Sequence, residues 1–273
     1  MDTIPNEKLA RLSELPSLPT LFLDALQQIN DDRYTSVLAE KIGNDPSLVA
    51  RILRIANSSF YGRSREIGTV QEAILLLGLS RVRDILIAVC FSKLLPMPKT
   101  TFDYTQFWHH SMAVGECTRQ LAHYSGINQD LAFTAGLLHD IGRLIIAVFF
   151  HNEINDLLNA GKPLSVGEEQ QRLGFNHMQI GGKAALHWKF PQAIQEAIEQ
   201  HETPPAPDAE KSLTVLVYAA NLLIQLAEKT TEEMSDVPES LRPALDILAI
   251  PNDKSVLSVN NARQFADQIV AIL

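Results

Sequence analysis

The stretch AGLLHDIGRLIIAVFF (residues 135–150) decides the fold, because it is apolar almost throughout and is typical of one buried helix. Two polar residues, His139 and Asp140, stand side by side in its middle. A carboxylate within an apolar helix is costly to bury unless it is paired or coordinated. Asp140 therefore needs partners, and other helices of the chain have to supply them.

The composition indicates an ordinary globular protein. The chain has 273 residues, of which 46% are hydrophobic and 20% charged, so it can form one large domain or two small ones. We expect no membrane association, because no uncharged apolar run reaches the roughly 18 residues of a membrane-spanning helix. The N-terminus lacks the pattern of a secretory signal, and two cysteines do not make a disulfide framework. These features predict a cytoplasmic location.

The charge distribution argues against a nucleic-acid partner. The formal net charge is −9 at pH 7, whereas nucleic-acid-binding proteins usually carry a strongly basic face. Basic residues do gather in the first half of the chain, at Arg51, Arg54, Arg63, Arg65, Arg81 and Arg83. A solvated helical surface and a patch for a phosphate or a protein partner are both compatible with this cluster.

Helix-start signals recur along the chain. Asp45 precedes a proline that suits the first helical position, and Thr69 and Ser165 are each followed three residues later by glutamate, as in a capping box. The alternation typical of strands is nearly absent. The pattern predicts an all-α fold with more than ten helices. The proline-containing segment at residues 94–104 suggests two helical subdomains, residues 1–96 and 97–273.

Polar groups interrupt five helical faces that are otherwise apolar. They are His110, His139, Asp140, His177, His201 and Asn221. One inward histidine is most often a hydrogen-bonded core residue, but a set of this size favours convergence on a metal ion. Imidazole and carboxylate ligands without thiolate suit one or two divalent ions of Fe, Mn, Ni, Zn or Mg.

Several motifs agree in order and spacing with a known family. They are LPSLP, NDPSLVARILRIANSSFYGRSREIGTVQEAILLLG, FWHHS, AGLLHDIGRL and HWKFP, within residues 15–227. The chain resembles the HDOD family, a group of bacterial signalling modules related to the HD-domain superfamily of metal-dependent phosphohydrolases. This resemblance implies a multi-helix bundle with an HD-like C-terminal half and an additional helical N-terminal half.

The sequence departs from the active members of the superfamily at two places. Asn221 stands where active HD phosphohydrolases have a second aspartate, and an asparagine binds a divalent ion less tightly than a carboxylate does. In the related HD-GYP phosphodiesterases, Gln200–His201 would be a pair of histidines, and their GYP signature is replaced here by ETPPAPDA. These departures argue against hydrolysis of cyclic di-GMP.

Two functions follow from the resemblance and its departures. The first is a regulatory module with a degenerate metal centre, acting through a signalling protein or a small nucleotide ligand. The alternative is an active metal-dependent phosphohydrolase for a nucleotide or phosphodiester, with Asp140 and His139 as its catalytic residues. Whether the chain is an enzyme stays open at this point. Arg51, Arg54 and Lys183 are the candidate contacts for a partner or a phosphate.

Overall fold

The structure is a computed structural model that describes residues 4–19, 32–58, 66–95, 102–158, 164–230 and 232–271. Within these ranges the chain forms α-helices and short 3₁₀ turns and no strand, so the predicted all-α fold is confirmed. The helices are α1 (Asn6–Leu9), α2 (Asp32–Gly43), α3 (Pro46–Ala56), α4 (Val70–Leu77), α5 (Leu79–Ser92), α6 (Tyr104–Ser125), α7 (Gln129–Leu138), α8 (Ile141–Phe149), α9 (His151–Leu158), α10 (Val166–Leu173), α11 (His177–His187), α12 (Gln192–Gln200), α13 (Leu213–Ala227), α14 (Arg242–Leu248) and α15 (Asn252–Val270).

The helix starts predicted at Asp45, Thr69 and Ser165 are confirmed. The Asp45 carboxylate accepts hydrogen bonds from the backbone N–H groups of Ser47 and Leu48 at the start of α3. The Thr69 hydroxyl accepts from the N–H of Glu72 at the start of α4, and Ser165 forms a complete capping box with Glu168 at the start of α10. Each side chain satisfies N–H groups that have no partner within the helix.

The central helix of the C-terminal half is α6, which packs along α7, α13 and α15. It meets α7 at two glycines, since a Cβ on Gly136 would lie 2.9 Å from the Cα of Gly115 and 2.4 Å from the Thr118 hydroxyl. The absence of side chains at this crossing lets the two backbones approach closely. As a result, residues at the C-terminal end of α7 are held against the middle of α6.

The apolar stretch that suggested one helix is in fact two helices. Helix α7 ends at Leu138, His139 and Asp140 form a turn, and α8 begins at Ile141. The prediction failed here because the apolar pattern continues across the turn. By length and composition the combined stretch Gln129–Phe149 could cross a membrane, but 89% of its most apolar window is buried inside the protein, as in a core helix.

Ion pairs hold α5 of the N-terminal half against α6 and α7. The fully buried Asp84 pairs with Arg119, Arg83 pairs with Asp130, and Arg81 pairs with Glu116. Burial raises the pKa of Asp84 to about 6, although the neighbouring arginines oppose this rise. The predicted boundary near residue 96 falls outside the described residues, so the division into two subdomains stays a prediction.

The basic cluster expected in the first half is not a single surface patch. Arg81 and Arg83 are engaged in the ion pairs between helices, while Arg63 and Arg65 lie outside the described residues. Sequence spacing could not reveal that Arg81 and Arg83 pair with Glu116 and Asp130, because these acids lie 35 or more positions further along the chain.

Candidate metal centre

The six polar groups predicted to converge do meet, with Asp140 at their middle. His110 comes from α6, and His139 and Asp140 come from the turn between α7 and α8. The other three groups are His177 at the start of α11, His201 just after α12, and Asn221 on α13. Except for the edge residue His110, all are buried.

Asp140 Oδ1 faces two histidines and a glutamate, a set that we call the acid side of the centre. His177 Nε2 lies 3.3 Å and His201 Nε2 lies 3.2 Å from this oxygen, and the two nitrogens are 3.3 Å apart. Glu202 Oε1 is 3.4 Å from His177 Nε2. The four donor atoms therefore form one compact group.

Asp140 Oδ2 faces His139, and we call the group of His110, His139 and this oxygen the imidazole side of the centre. His139 Nε2 lies 3.7 Å from this oxygen, and the rings of His110 and His139 are 5.2 Å apart. His110 Nε2 is 3.1 Å from Asn221 Oδ1. Asp140 thus belongs to two groups of donors at once.

Hydrogen bonds on the far side of each ring orient the imidazoles. His139 Nδ1 donates to the Gly136 carbonyl at 2.7 Å and His201 Nδ1 to the Ile198 carbonyl at 2.8 Å, which directs each Nε2 lone pair toward the centre. Complete burial lowers the pKa of His139 to about 3, although Asp140 opposes this effect. His139 is therefore neutral near pH 7, as a metal ligand must be.

The other histidines of the centre differ, because acids lie behind them. His177 Nδ1 lies 2.7 Å from Glu169 Oε2, and His110 Nδ1 lies 2.9 Å from Glu228 Oε2. Burial lowers the pKa of both imidazoles, but these carboxylates more than offset that effect and the net shift is upward. Protons and cations therefore compete for His110 and His177 as the pH falls.

Two observations show that the residues fit a divalent cation. The buried His139 Nε2 has no hydrogen-bond partner, and a bound cation would account for a nitrogen lone pair that is buried without one. On the acid side, donor separations of 3.2–3.4 Å are close to the roughly 3.3–3.6 Å between ligands bound tetrahedrally to one ion at 2.0–2.2 Å.

Four charged residues of the centre were missed from the sequence. They are Arg143, Glu169, Glu202 and Glu228. The position of Arg143, one helical turn after Asp140, and that of Glu202, adjacent to His201, were available signals. For Glu169 the signal was weaker, since α10 is polar and only the buried Leu173, four residues later, marks its inner face. Glu228 begins an acidic segment, residues 228–240, whose composition is typical of a solvated loop.

Burial alone would raise the pKa of the acids in the centre, but the neighbouring positive groups more than offset it. Arg143 and the histidines hold the pKa of Asp140 well below its usual range. The hydrogen bond from His177, together with Arg143, lowers the pKa of Glu202 to about 2. Both carboxylates are therefore ionised at neutral pH.

The three residues proposed to contact a partner or a phosphate stay predictions. Arg54 and Lys183 are exposed and Arg51 is half-buried. None of the hydrogen bonds and ion pairs described for the centre involves them. Their exposure is compatible with contact to another molecule and equally with a solvated surface.

Known proteins resemble the chain over most of its length. A solved structure from Shewanella amazonensis, described only as a candidate phosphohydrolase, is 26% identical and superposes with a TM-score of 0.72, covering 96% of this chain and 97% of that one. An HDOD domain protein of unknown function from Geobacter sulfurreducens shares the fold at 23% identity, with a TM-score of 0.76 and coverage of 97% and 96%.

A curated uncharacterized protein of Treponema pallidum (strain Nichols) is 25% identical over 238 residues. These residues are 85% of this chain but 46% of that protein, so the chain spans about half the length of this relative. The HDOD domain family itself matches residues 15–204. This match covers well over half of the chain, which therefore belongs to the HDOD domain family.

Proposed function

We propose that the chain is a bacterial regulatory module that binds a divalent cation at the Asp140 centre and acts through a signalling protein or a small nucleotide ligand in the cytoplasm. The observation that carries this proposal is the pairing of His110 with Asn221 at 3.1 Å. A neutral amide stands where the active HD phosphohydrolases, which the sequence resembles, have a carboxylate. The centre thus keeps the groups that hold a cation and lacks one of the charges associated with turnover.

The residues of the imidazole side would hold the ion. His110 and His139 offer Nε2, and Asp140 offers a carboxylate oxygen. The Gly136 carbonyl fixes the His139 ring, so the Nε2 atom is already directed inward. When bound, a divalent cation supplies a Lewis acid that lowers the pKa of water and attracts phosphate oxygens.

The origin of the ligands explains how occupancy can be transmitted. The groups of the centre come from α6, α11, α12, α13 and the turn between α7 and α8. A cation that ties these elements together stabilises one arrangement of the helices over any other. The buried pair of Asp84 and Arg119 connects α6 to the N-terminal half, so a shift of α6 is passed to that half.

The alternative, a phosphohydrolase, is favoured by the position of Asp140. One carboxylate that faces two groups of donors is suited to hold two cations, and two-cation sites support hydrolysis of phosphate esters. In this case Asp140 and His139 would be catalytic residues. The two functions share the same centre and differ in whether a substrate is turned over.

Thermal unfolding with and without Mn²⁺ tests cation binding. We expect Mn²⁺ at a hundred times its Kd to stabilise the wild-type protein by about 2.7 kcal/mol. His139→Ala should abolish this stabilisation, whereas the control His123→Ala, which changes an exposed histidine of the same chain, should retain it. Equal stabilisation of both variants would reject the centre as the binding site.

A hydrolysis assay separates the two functions. Bis(p-nitrophenyl) phosphate with Mn²⁺ offers a generic phosphodiester, and a regulatory module should turn it over no faster than its Asp140→Ala variant. Turnover that is present in the wild type and lost in Asp140→Ala would replace the regulatory function with the phosphohydrolase.

A further inference from the structure

Arg143 lies among the acids of the centre. It is the third residue of α8, one turn after Asp140, and its side chain is largely buried. Its Nε lies 3.1 Å from both carboxylate oxygens of Asp140. One Nη lies 2.9 Å from Glu202 Oε1, and the other lies 3.3 Å from Glu169 Oε1 and 2.8 Å from the Leu164 carbonyl. One guanidinium group therefore contacts three carboxylates.

The guanidinium and the acid side use the same oxygen atoms. Asp140 Oδ1 and Glu202 Oε1 each contact both a histidine Nε2 and Arg143. A cation bound to these oxygens would be separated from the guanidinium by a single oxygen atom. Two positive groups so close, in a place from which water is largely excluded, repel each other strongly.

The nitrogen atom that lacks a partner lies on the other side of Asp140. On the imidazole side, His139 Nε2 is buried without a partner. On the acid side, the donor atoms of His177 and His201 have contacts with Asp140 and with each other, and the acids have Arg143. Arg143 contacts two carboxylates of the acid side, Asp140 and Glu202, whereas on the imidazole side it contacts Asp140 alone.

We propose that Arg143 acts as a built-in cation of the acid side and restricts the centre to one divalent ion, held by His110, His139 and Asp140. This inference rests on the proposed function, because it requires that the centre binds a cation. It adds that the second group of donors is kept from a second ion by a side chain of the same protein. Arg143 is thus a positioning residue that sets the metal stoichiometry.

Mn²⁺ stoichiometry tests the inference. Equilibrium dialysis with elemental analysis counts the ions, and electron paramagnetic resonance distinguishes a single Mn²⁺ from a coupled pair. We expect one Mn²⁺ per chain and an uncoupled spectrum for the wild type and for Arg143→Lys, which keeps the charge. We expect two Mn²⁺ and a coupled spectrum for Arg143→Gln. The control Arg172→Gln, which removes an exposed arginine paired with Asp156, should bind one.

The possible results separate this inference from the proposed function. One Mn²⁺ in both the wild type and a folded Arg143→Gln overturns the inference and leaves the proposed function standing. Two coupled Mn²⁺ in the wild type also overturn the inference and leave the proposed function standing. This measurement tests the inference even if Arg143→Gln does not fold. No Mn²⁺ in the wild type overturns both.

Discussion

Replacing Gly142 with alanine is expected to destabilise the protein, because α8 and α11 approach each other at this residue without room for a side chain. A Cβ on Gly142 would lie 1.9 Å from the backbone oxygen and 2.7 Å from the carbonyl carbon of His177. Ordinary nonbonded contacts are at about 3.5–4.0 Å. The start of α11 must therefore move away from α8 by roughly 1 Å or more, or the backbone of α8 must bend.

The size of the effect follows from two opposing contributions. Overpacking of this kind costs about 1–3 kcal/mol, and the upper end applies because the contacted atoms belong to the backbone and cannot rotate away. Alanine regains about 1 kcal/mol from its higher helix propensity. We expect Gly142→Ala to lower the free energy of unfolding by about 2 kcal/mol and the Tm by roughly 4–8 °C. Since Asp140 directly precedes α8, a bend in α8 should weaken binding of Mn²⁺ too.

Gly167→Ala is the matched control. Gly167 is also the second residue of its helix, α10, and a Cβ there would meet no atom within 4 Å. This variant should be unchanged or stabilised by about 0.4–1 kcal/mol. Urea denaturation of both variants measures the difference. If Gly142→Ala is as stable as Gly167→Ala, the close approach of α8 to α11 is wrong.

Three further variants test the charges of the fold and of the centre. The folded-state pKa of Glu202 is lowered to about 2, so the stability that its ionised form contributes is present above about pH 4.5 and is lost as the pH falls toward 2. Between pH 5 and pH 3 in urea titrations, the free energy of unfolding of Glu202→Gln should therefore fall by about 1 kcal/mol less than that of the wild type. Equal decreases would contradict this. Arg119→Gln leaves the buried Asp84 without its main partner and should cost about 3 kcal/mol in urea denaturation, against less than about 1 kcal/mol for the exposed pair at Arg172; equal costs would refute the buried pairing. Asn221→Asp adds a charged ligand beside His110 and should tighten Mn²⁺ binding by about tenfold in calorimetry, whereas an unchanged Kd would show that Asn221 does not face the ion.

Much of the fold could be predicted because its signals are local. Helix starts at Asp45, Thr69 and Ser165 follow from side chains that hydrogen-bond within three residues. The inward direction of His177 and Asn221 follows from helical spacing of apolar neighbours. That these groups meet could be proposed, since a buried carboxylate needs partners.

The remainder depends on contacts between residues that are distant in the sequence. The turn at His139 and Asp140 was not recognised, because the nearby Gly136 and Gly142 lie inside α7 and α8 and the apolar pattern continues across the turn. Arg143 and Glu169 are the kinds of residue that normally face solvent, and only the packing of α8 against α10 and α11 brings them inside. Arg83 likewise becomes internal through Asp130 on α7.

The most direct test of a cation centre is anomalous scattering from crystals of the wild-type protein equilibrated with Mn²⁺. We expect an anomalous difference peak bounded by His110 Nε2, His139 Nε2 and Asp140 Oδ2, and no such peak in crystals of His139→Ala. Ordered wild-type side chains at this place with no anomalous peak beside Asp140 would contradict the account.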